Sequence, residues 1–463
     1  MSMMKGFANA FHIPELRKKI LITLGLVFVC RLISQVPAPG VDWTVLGNVI
    51  KRATENADGG GLIGWLEIFT GGALGQCAIG FLSIWPYISA QIVIQLLSSV
   101  IPSLEKLKKE GENGRQQLAQ ITRYLTIVLC VVQSWGIATA LSNPAALGFQ
   151  LNPGESIVIN PGLAFNLMTV IGMTAASLFV MWIADQITTF GIGNGGSLII
   201  MINITSRLPS AIFAAWERYF GIKGDTGTAQ GSYAELVILV CFFLLVVMGT
   251  VMLTQGVRKV PIHSARRSVV SGASYGMQKT YMPLRVSYAG VMPIIFAQPL
   301  IQIPSALAMK LFKTGRIHNF FAELSQMQGV TYMVVYAVLI LFFTFFWVAT
   351  QFNAVDISEN LKKDSSYIPG FSPGRATAEY LDDVMTKITL IGGLGLLSVA
   401  LVPMLLSGTF RIPWVIASFF GGTSLLIIVG VALDTLRIME SHLLVRKYEG
   451  FLSHGSLRGR GGV

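Results

Sequence analysis

The stretch Phe69–Ile101, FTGGALGQCAIGFLSIWPYISAQIVIQLLSSVI, decides how the chain is read. It opens on a Gly-rich piece, Thr70-Gly71-Gly72-Ala73-Leu74-Gly75, too short to cross a bilayer and too apolar for an ordinary surface loop. An apolar run through Ile101 follows, of about the ~20 residues that crossing the hydrocarbon requires. Pro86 interrupts that run. Inside a helix a proline removes a backbone donor and disturbs the preceding turn, which a membrane helix tolerates where it faces protein or a water cavity. Ser89, Gln91 and Gln95 lie just beyond it, and polar side chains at that depth rarely face lipid, so this helix is expected to line something.

The signature returns once. Pro86-Tyr87-Ile88-Ser89-Ala90-Gln91 lies over Pro293-Ile294-Ile295-Phe296-Ala297-Gln298 with Pro, Ile, Ala and Gln at equal spacing. Around these stretches the composition is that of a polytopic membrane protein: 53% hydrophobic and 12% charged, with a mean hydropathy of +0.63. A formal charge of +11 must then sit in loops, and a basic chain with few spare charges is usually basic on one face. Cys30, Cys77, Cys130 and Cys241 fall in or beside apolar runs without metal-like spacing and read as reduced packing residues. The amphipathic piece from Phe7 to Lys19 has no small-residue cleavage site behind its apolar run, so no cleaved leader is expected.

Ten apolar runs can be marked. They are Ile20 to Val36, Ala78 to Ile101, Tyr124 to Leu141, Leu163 to Ala184 and Ser197 to Trp216, then Leu236 to Thr254, Tyr288 to Leu311, Tyr332 to Phe352, Met385 to Leu406 and Pro413 to Leu436. An even count puts both termini on one side. With the N-terminus inside, the inside segments hold about 24 of the 34 basic residues, which places both ends in the cytoplasm. Glycines break up Gly221 to Gly231, GIKGDTGTAQG, and divide the spans five and five. The expected organisation is an N-terminal half over 1–220, a hinge loop over 221–233, a C-terminal half over 234–440 and a cytoplasmic tail over 441–463. The two Pro-Ile-Ala-Gln helices are then the second member of each half and cross in opposite directions, as an inverted repeat demands.

Two inside loops are large. Gln255 to Arg285 carries Arg258, Lys259, Arg266, Arg267, Lys279 and Arg285 with no acidic residue, which suits a positive-inside loop or a docking surface for an RNA-rich or acidic partner. Asn353 to Lys387, with Lys362 and Lys363, contains the double turn Pro369-Gly370-Phe371-Ser372-Pro373-Gly374, which stiffens a protruding tip. No phosphate-binding loop occurs, and His12, His263, His318, His442 and His454 are scattered without ligand spacing, so no catalytic or metal chemistry is expected. Coupled carriers place carboxylates near the midplane, whereas Asp185 and Asp434 sit near the inside ends of their spans. An uncoupled small-solute facilitator stays open as an alternative.

The motifs Thr70-Gly71-Gly72-Ala73-Leu74 with Pro86-Tyr87-Ile88-Ser89-Ala90, Lys108-Lys109-Glu110-Gly111-Glu112 with Gly114-Arg115 and Thr122-Arg123-Tyr124, Gly191-Ile192-Gly193-Asn194-Gly195, Ala289-Gly290-Val291-Met292-Pro293, and Asn360-Leu361-Lys362-Lys363 through Pro373-Gly374 resemble the SecY family of bacterial protein translocase channels, collinearly from about Pro14 to Tyr448. The resemblance implies an all-α clamshell of ten transmembrane helices in two five-helix halves, related as an inverted repeat. A short plug helix, here about Leu66 to Gln76 and including Phe69, Thr70, Gly71, Gly72, Ala73 and Leu74, would close a narrow pore. It carries an apolar ring to Ile84, Ile88, Ile200, Ile295 and Ile427, and to Gly196, where branched aliphatics are usual in the family. It implies a lateral gate between the second and seventh spans, lined by Ser89, Gln91, Gln95, Gln298, Gln302 and Ile303. SecE-like and SecG-like small subunits, a SecA motor ATPase, the ribosome with its nascent chain, signal sequences and membrane lipid are the implied partners. The family's protruding loop commonly has an arginine before its Pro-Gly turn. Here Ser372 holds that position and the nearest basic residue is Arg375.

Overall fold

Proline and small polar residues punctuate the helices. The computed structural model describes residues 13–56, 70–143, 156–220, 233–264, 280–312, 315–326, 329–410, 412, 414–420 and 422–454. The expected hinge loop and the plug residue Phe69 lie outside them. The described chain forms helices and three short strands joined by turns and loops: α1 (Pro14–Ile33), α2 (Trp43–Asn56), α3 (Trp85–Val100), α4 (Pro102–Lys109), α5 (Glu112–Ser142), α6 (Leu163–Phe190), α7 (Gly195–Thr205), α8 (Leu208–Phe220), α9 (Tyr233–Gln255), β1 (Val257–Ser264), β2 (Thr280–Arg285), α10 (Met292–Leu311), α11 (Arg316–Ser325), α12 (Val330–Gln351), α13 (Ala354–Lys363), β3 (Ser366–Tyr367), α14 (Arg375–Phe410), α15 (Trp414–Phe420) and α16 (Thr423–His454).

Among the described residues seven helical segments are long and apolar enough to cross a membrane, and the pair α3 and α4, bent by 105° at its break, makes an eighth. These match the second to sixth and the eighth to tenth runs of the sequence. The count of ten is not reached by length and composition alone: α1 carries Glu15, Arg17, Lys18, Lys19 and Arg31 within its length, and on α10 the apolar stretch that counts, Met292–Gln302, is too short to cross by itself. Along α9 the side chains of Tyr233, Val237, Leu244, Met248 and Met252 form an exposed apolar stripe. In water such a stripe would be costly, and a hydrocarbon environment is what it suits.

The chain divides into two compact units, one drawing on Met1–Asn56, Trp65–Arg207 and Val431–Val463, the other on Leu208–Gly430. In the first, α5 packs between α3 and α6. Its buried stripe Gly114, Thr122, Thr126, Cys130, Ser134 and Ala138 repeats every four residues, and such small side chains let helix backbones approach where no hydrophobic force drives them together. Polar contacts then fix the register of α5 on α6: Arg123 to Asp185 at 2.8 Å, the Ser134 and Thr174 hydroxyls at 3.2 Å, and Ser142 Oγ donating to Asn166 Oδ1 at 3.1 Å. The outer connections are stitched by backbone bonds: Ala38 N–H to Cys77 O, Ile79 N–H to Val36 O, and Asp42 N–H to Ile157 O, all 2.8 to 2.9 Å.

In the second unit α12 packs against α10 and α14, and α9 and α13 also lie on α14. α14 runs 36 residues with Pro403 inside it. β1 pairs antiparallel with β2, from Val257 opposite Arg285 to Ile262 opposite Thr280. Its far end pairs with β3, His263 opposite Tyr367 and Ser264 opposite Ser366. The two inside loops read separately from the sequence are therefore one sheet in the order β2-β1-β3.

Candidate functional site

Pro86 does not interrupt a helix; it begins one. It occupies the first turn of α3, with Ile84 as the residue before the helix at φ −88° and ψ −1°. A proline there loses no helical bond, because that donor has no partner inside the helix. The apolar residues from Ala78 to Ile84 form successive turns and not the helix expected of them. Pro293 begins α10 in the same way, after Val291 at φ −92° and ψ −5°. One residue earlier, Ser83 and Gly290 take left-handed φ values of 47° and 59°. The equivalence runs on beyond the motif. At the same offset Ile94 matches Ile301, Gln95 matches Gln302 and Ser98 matches Ser305, and each of those serine hydroxyls donates to the carbonyl of its own glutamine, at 2.8 and 3.0 Å. The internal repeat is thus a repeat of backbone geometry as well as of side chains.

Thr70 is helical, and the rest of the described Gly-rich stretch, Gly71 to Gln76, is a set of turns and not a helix, with Gly71 at φ +65° and Gly72 at φ +90°. Successive glycines in left-handed conformations cannot continue a right-handed helix. The Gly71 carbonyl accepts from Arg31 Nη2 and from Ser206 Oγ, each at 3.4 Å. Arg31 Nη1 also donates to Asn203 Oδ1 at 3.4 Å, Asn203 Nδ2 donates to Ser83 Oγ at 3.0 Å, and Ser206 Oγ donates to the Asn203 carbonyl at 2.7 Å. Asn203 is buried and Arg31 half-buried. A Cβ on Gly71 would stand 2.6 Å from Arg31 Nη1, so a side chain there would push the guanidinium aside, and the left-handed φ of +65° favours glycine in any case. A Cβ on Gly72 would stand 3.6 Å from Arg207 Cζ. Sequence reasoning gave Arg31 no role; a lone arginine among the apolar residues of the first span was the signal.

Of the expected ring positions, Ile84, Ile88, Ile295 and Ile427 are buried, and Ile200 and Gly196 are intermediate. Ile84, Ile88, Gly196 and Ile200 belong to the first unit, Ile295 and Ile427 to the second, and Ile88 and Ile295 are repeat equivalents. Gly196 stands beside Ile84, whose Cδ1 would be 3.6 Å from a Cβ at that glycine. The gap left by the missing branched side chain is bordered by Ile84.

The gate residues divide by element. Ser89 Oγ donates to the Trp85 carbonyl at 3.0 Å and Gln91 Nε2 to the Tyr87 hydroxyl at 3.0 Å, so both bonds stay within α3. Gln95 is intermediate in exposure. Gln298 and Gln302 on α10 are buried. The Gln302 amide nitrogen and the buried hydroxyls of Tyr332 and Tyr336, whose rings stack at 5.6 Å, make no hydrogen bond among the described residues. The Ile303 side chain lies outside what is described.

Arg258 and Lys259 lie on β1, opposite Leu284 and Pro283. Arg266, Arg267 and Lys279 fall outside the described residues. Lys362 and Lys363 close α13, where cations suit the negative end of the helix dipole. At the tip Phe371 stacks on Tyr380 at 4.2 Å and Thr377 Oγ1 donates to the Ser372 carbonyl at 2.9 Å. Arg375 is 93% exposed and pairs with Glu379 at 2.9 Å.

The SecY family model matches residues 78–436. The SecY protein translocase subunit of Thermotoga maritima is 37% identical over 461 residues, covering 99% of this chain and all of that protein. Those of Streptomyces galbus and Synechococcus elongatus are 42% and 39% identical, covering 97% and 96% of this chain and 100% and 96% of the relatives. Among solved structures, a SecY protein whose plug domain is described as stabilising the closed state of the translocation channel is similar with a TM-score of 0.57 at 16% identity, over 95% of both chains. Sec61 in a canine ribosome-channel complex from the endoplasmic reticulum gives 0.53 at 15% identity, again over 95% of both.

Proposed function

This chain belongs to the SecY family of protein translocase subunits, and we propose from that premise that it passes unfolded secretory polypeptides across the cytoplasmic membrane and releases transmembrane segments sideways into lipid. It is a multi-pass membrane protein and a protein-conducting channel, and the small-solute facilitator considered from the sequence falls with the family assignment. The observation that carries the mechanism is the repeated helix start. In each unit a proline-initiated helix sets a buried isoleucine, Ile88 or Ile295, in its first turn, with a glutamine pair, Gln91 and Gln95 or Gln298 and Gln302, beyond it.

Ile84, Ile88, Ile200, Ile295 and Ile427, with Gly196, form the ring. Isoleucine excludes water at rest and offers a passing peptide no hydrogen bonds to hold it. The Gly-rich stretch from Thr70 onward is the plug. α3 and α10 line the exit to lipid, and the buried Tyr336 hydroxyl, without a hydrogen-bond partner among the described residues, supports that reading, since a polar group left without a partner is ready to be wetted. A signal sequence then leaves because its apolar surface, at about 25 cal/mol per Å² buried, favours lipid over an aqueous pore.

Both termini are cytoplasmic, residues 221–233 hinge the halves 1–220 and 234–440, and 441–463 is a tail. The basic β1 and the α13 to α14 loop, with Arg258, Lys259, Lys362, Lys363 and Arg375, receive the SecA motor ATPase and the ribosome, and SecE-like and SecG-like small subunits complete the channel. A photoreactive residue placed in turn at Gln91 and at Gln298 is expected to cross-link to the apolar core of a signal sequence on a stalled precursor, and to lipid when no precursor is present. Cross-links only to lipid at both positions in the stalled complex would remove the exit from these helices.

A further inference from the structure

We infer that Arg31 is a positioning residue that latches the Gly-rich stretch in its resting place, with Asn203 relaying to it the position of the turn that begins α3. The inference rests on the reading of that stretch as the plug.

An arginine in a membrane helix is costly unless its guanidinium finds partners within the protein. Here the half-buried guanidinium forks: one nitrogen reaches the Gly71 carbonyl and another the Asn203 side chain, both at 3.4 Å. Asn203 in turn donates to Ser83 at 3.0 Å, and Ser83 stands in the left-handed turn immediately before α3. The chain of bonds therefore runs from the plug, through the first span, to the foot of the gate helix. Three features show that it is built. Gly71 has no Cβ where one would collide with Arg31 at 2.6 Å. Ser206 Oγ, whose proton goes chiefly to the Asn203 carbonyl at 2.7 Å, also stands 3.4 Å from the same Gly71 carbonyl. Ser83 holds a backbone conformation that few serines adopt, with Asn203 bonded to its hydroxyl. Both bonds of Arg31 are long for charge-assisted hydrogen bonds, near 3.4 Å against the usual 2.7 to 2.9 Å, which suits a contact that has to be released at every turnover. Movement of the α3 foot would pull Ser83 from Asn203, unseat the guanidinium and free the carbonyl.

The experiment uses the full chain with its natural partner subunits in vesicles, and compares Arg31→Met with a variant lacking Gly71 to Leu74. Resting ion conductance, export of a precursor with a defective signal sequence, export of an intact precursor and thermal unfolding are read for each. The expected result for Arg31→Met is resting conductance and defective-signal export raised at least about tenfold, some 1.4 kcal/mol of lost latching, with intact-precursor export kept. A residue serving only to hold the fold would instead lower all export and the unfolding temperature together, and that outcome overturns the latch. Should Arg31→Met fail to accumulate, Asn203→Ala carries the test with the same expected direction, and unchanged resting conductance in it counts against the relay and the latch alike. If the deletion itself leaves conductance unchanged, the plug reading fails. If the deletion leaks while Arg31→Met stays tight, the plug stands and the latch falls.

Discussion

At the scale of the residue, ring positions and turn positions follow different physics. Ile427 is 1% exposed, and an amide there would be buried without a partner, at a cost of roughly 1 to 3 kcal/mol, unless water enters to meet it. Ile427→Asn is therefore expected to raise ion conductance of resting channels several-fold in planar bilayers and to let weak signal sequences through; a tight, signal-selective variant would take Ile427 out of the ring. Gly196→Val argues in the opposite direction. Its helical φ accepts a side chain, which would meet Ile84 in ordinary van der Waals contact at about 3.6 Å and press on Asn194 Oδ1 at 3.3 Å. Replacing a helix glycine also removes roughly 0.5 kcal/mol of unfolded-chain entropy. Resting conductance should fall below that of the parent, with export of weak-signal precursors reduced, whereas a leakier Gly196→Val channel would mean that Ile84 already fills the gap and has been displaced. The isoleucines proposed for the ring could be named only through family resemblance, since one Ile in an apolar span looks like any other. Ser83 was not legible at all, because a left-handed serine leaves no trace in composition or periodicity.

At the scale of the element, the sequence marked the two Pro-Ile-Ala-Gln helices but took Pro86 for an interruption. Apolar residues before a proline read as helix by hydropathy, yet the turns from Ala78 to Ile84 satisfy their backbone with short-range bonds such as Ser83 N–H to Gly80 O at 3.0 Å. Hydropathy reports depth in the membrane and not backbone form. The equivalence of Gln95 with Gln302 and of Ser98 with Ser305 was present in the letters, but spaced too widely among differing apolar residues to stand out. The inside loop tip has its own test. Arg375 spends its guanidinium on Glu379 across one helical turn, an exposed pair of the kind worth about 0.3 to 0.5 kcal/mol and readily given up to a stronger partner. Arg375→Glu sets two carboxylates face to face and reverses the tip's charge. Motor-dependent export is expected to fall at least tenfold, about 1.4 kcal/mol of coupling, with ribosome-dependent insertion largely kept in parallel assays. Equal activity of parent and variant in both would mean that Ser372 marks a lost contact and that Arg375 is an ordinary surface charge.

At the scale of the whole molecule, membrane class and repeat came directly from the letters, because each is a sum over many residues and survives local error. Contacts between segments far apart in sequence did not. Two loops separated by an entire run of helices were read as two surfaces, and the pairing of His263 with Tyr367 makes them one. Strand pairing of two residues has no periodicity to detect, so no inspection of either loop alone would have found it. The sheet carries a consequence for traffic on these loops, if a ribosome and a motor dock there as proposed. Visitors that each gripped a different loop would be free to share the channel if the loops moved apart. Bound together through β1, the loops would offer a single berth, so whichever visitor arrived would hold both, and the next would wait for it to leave.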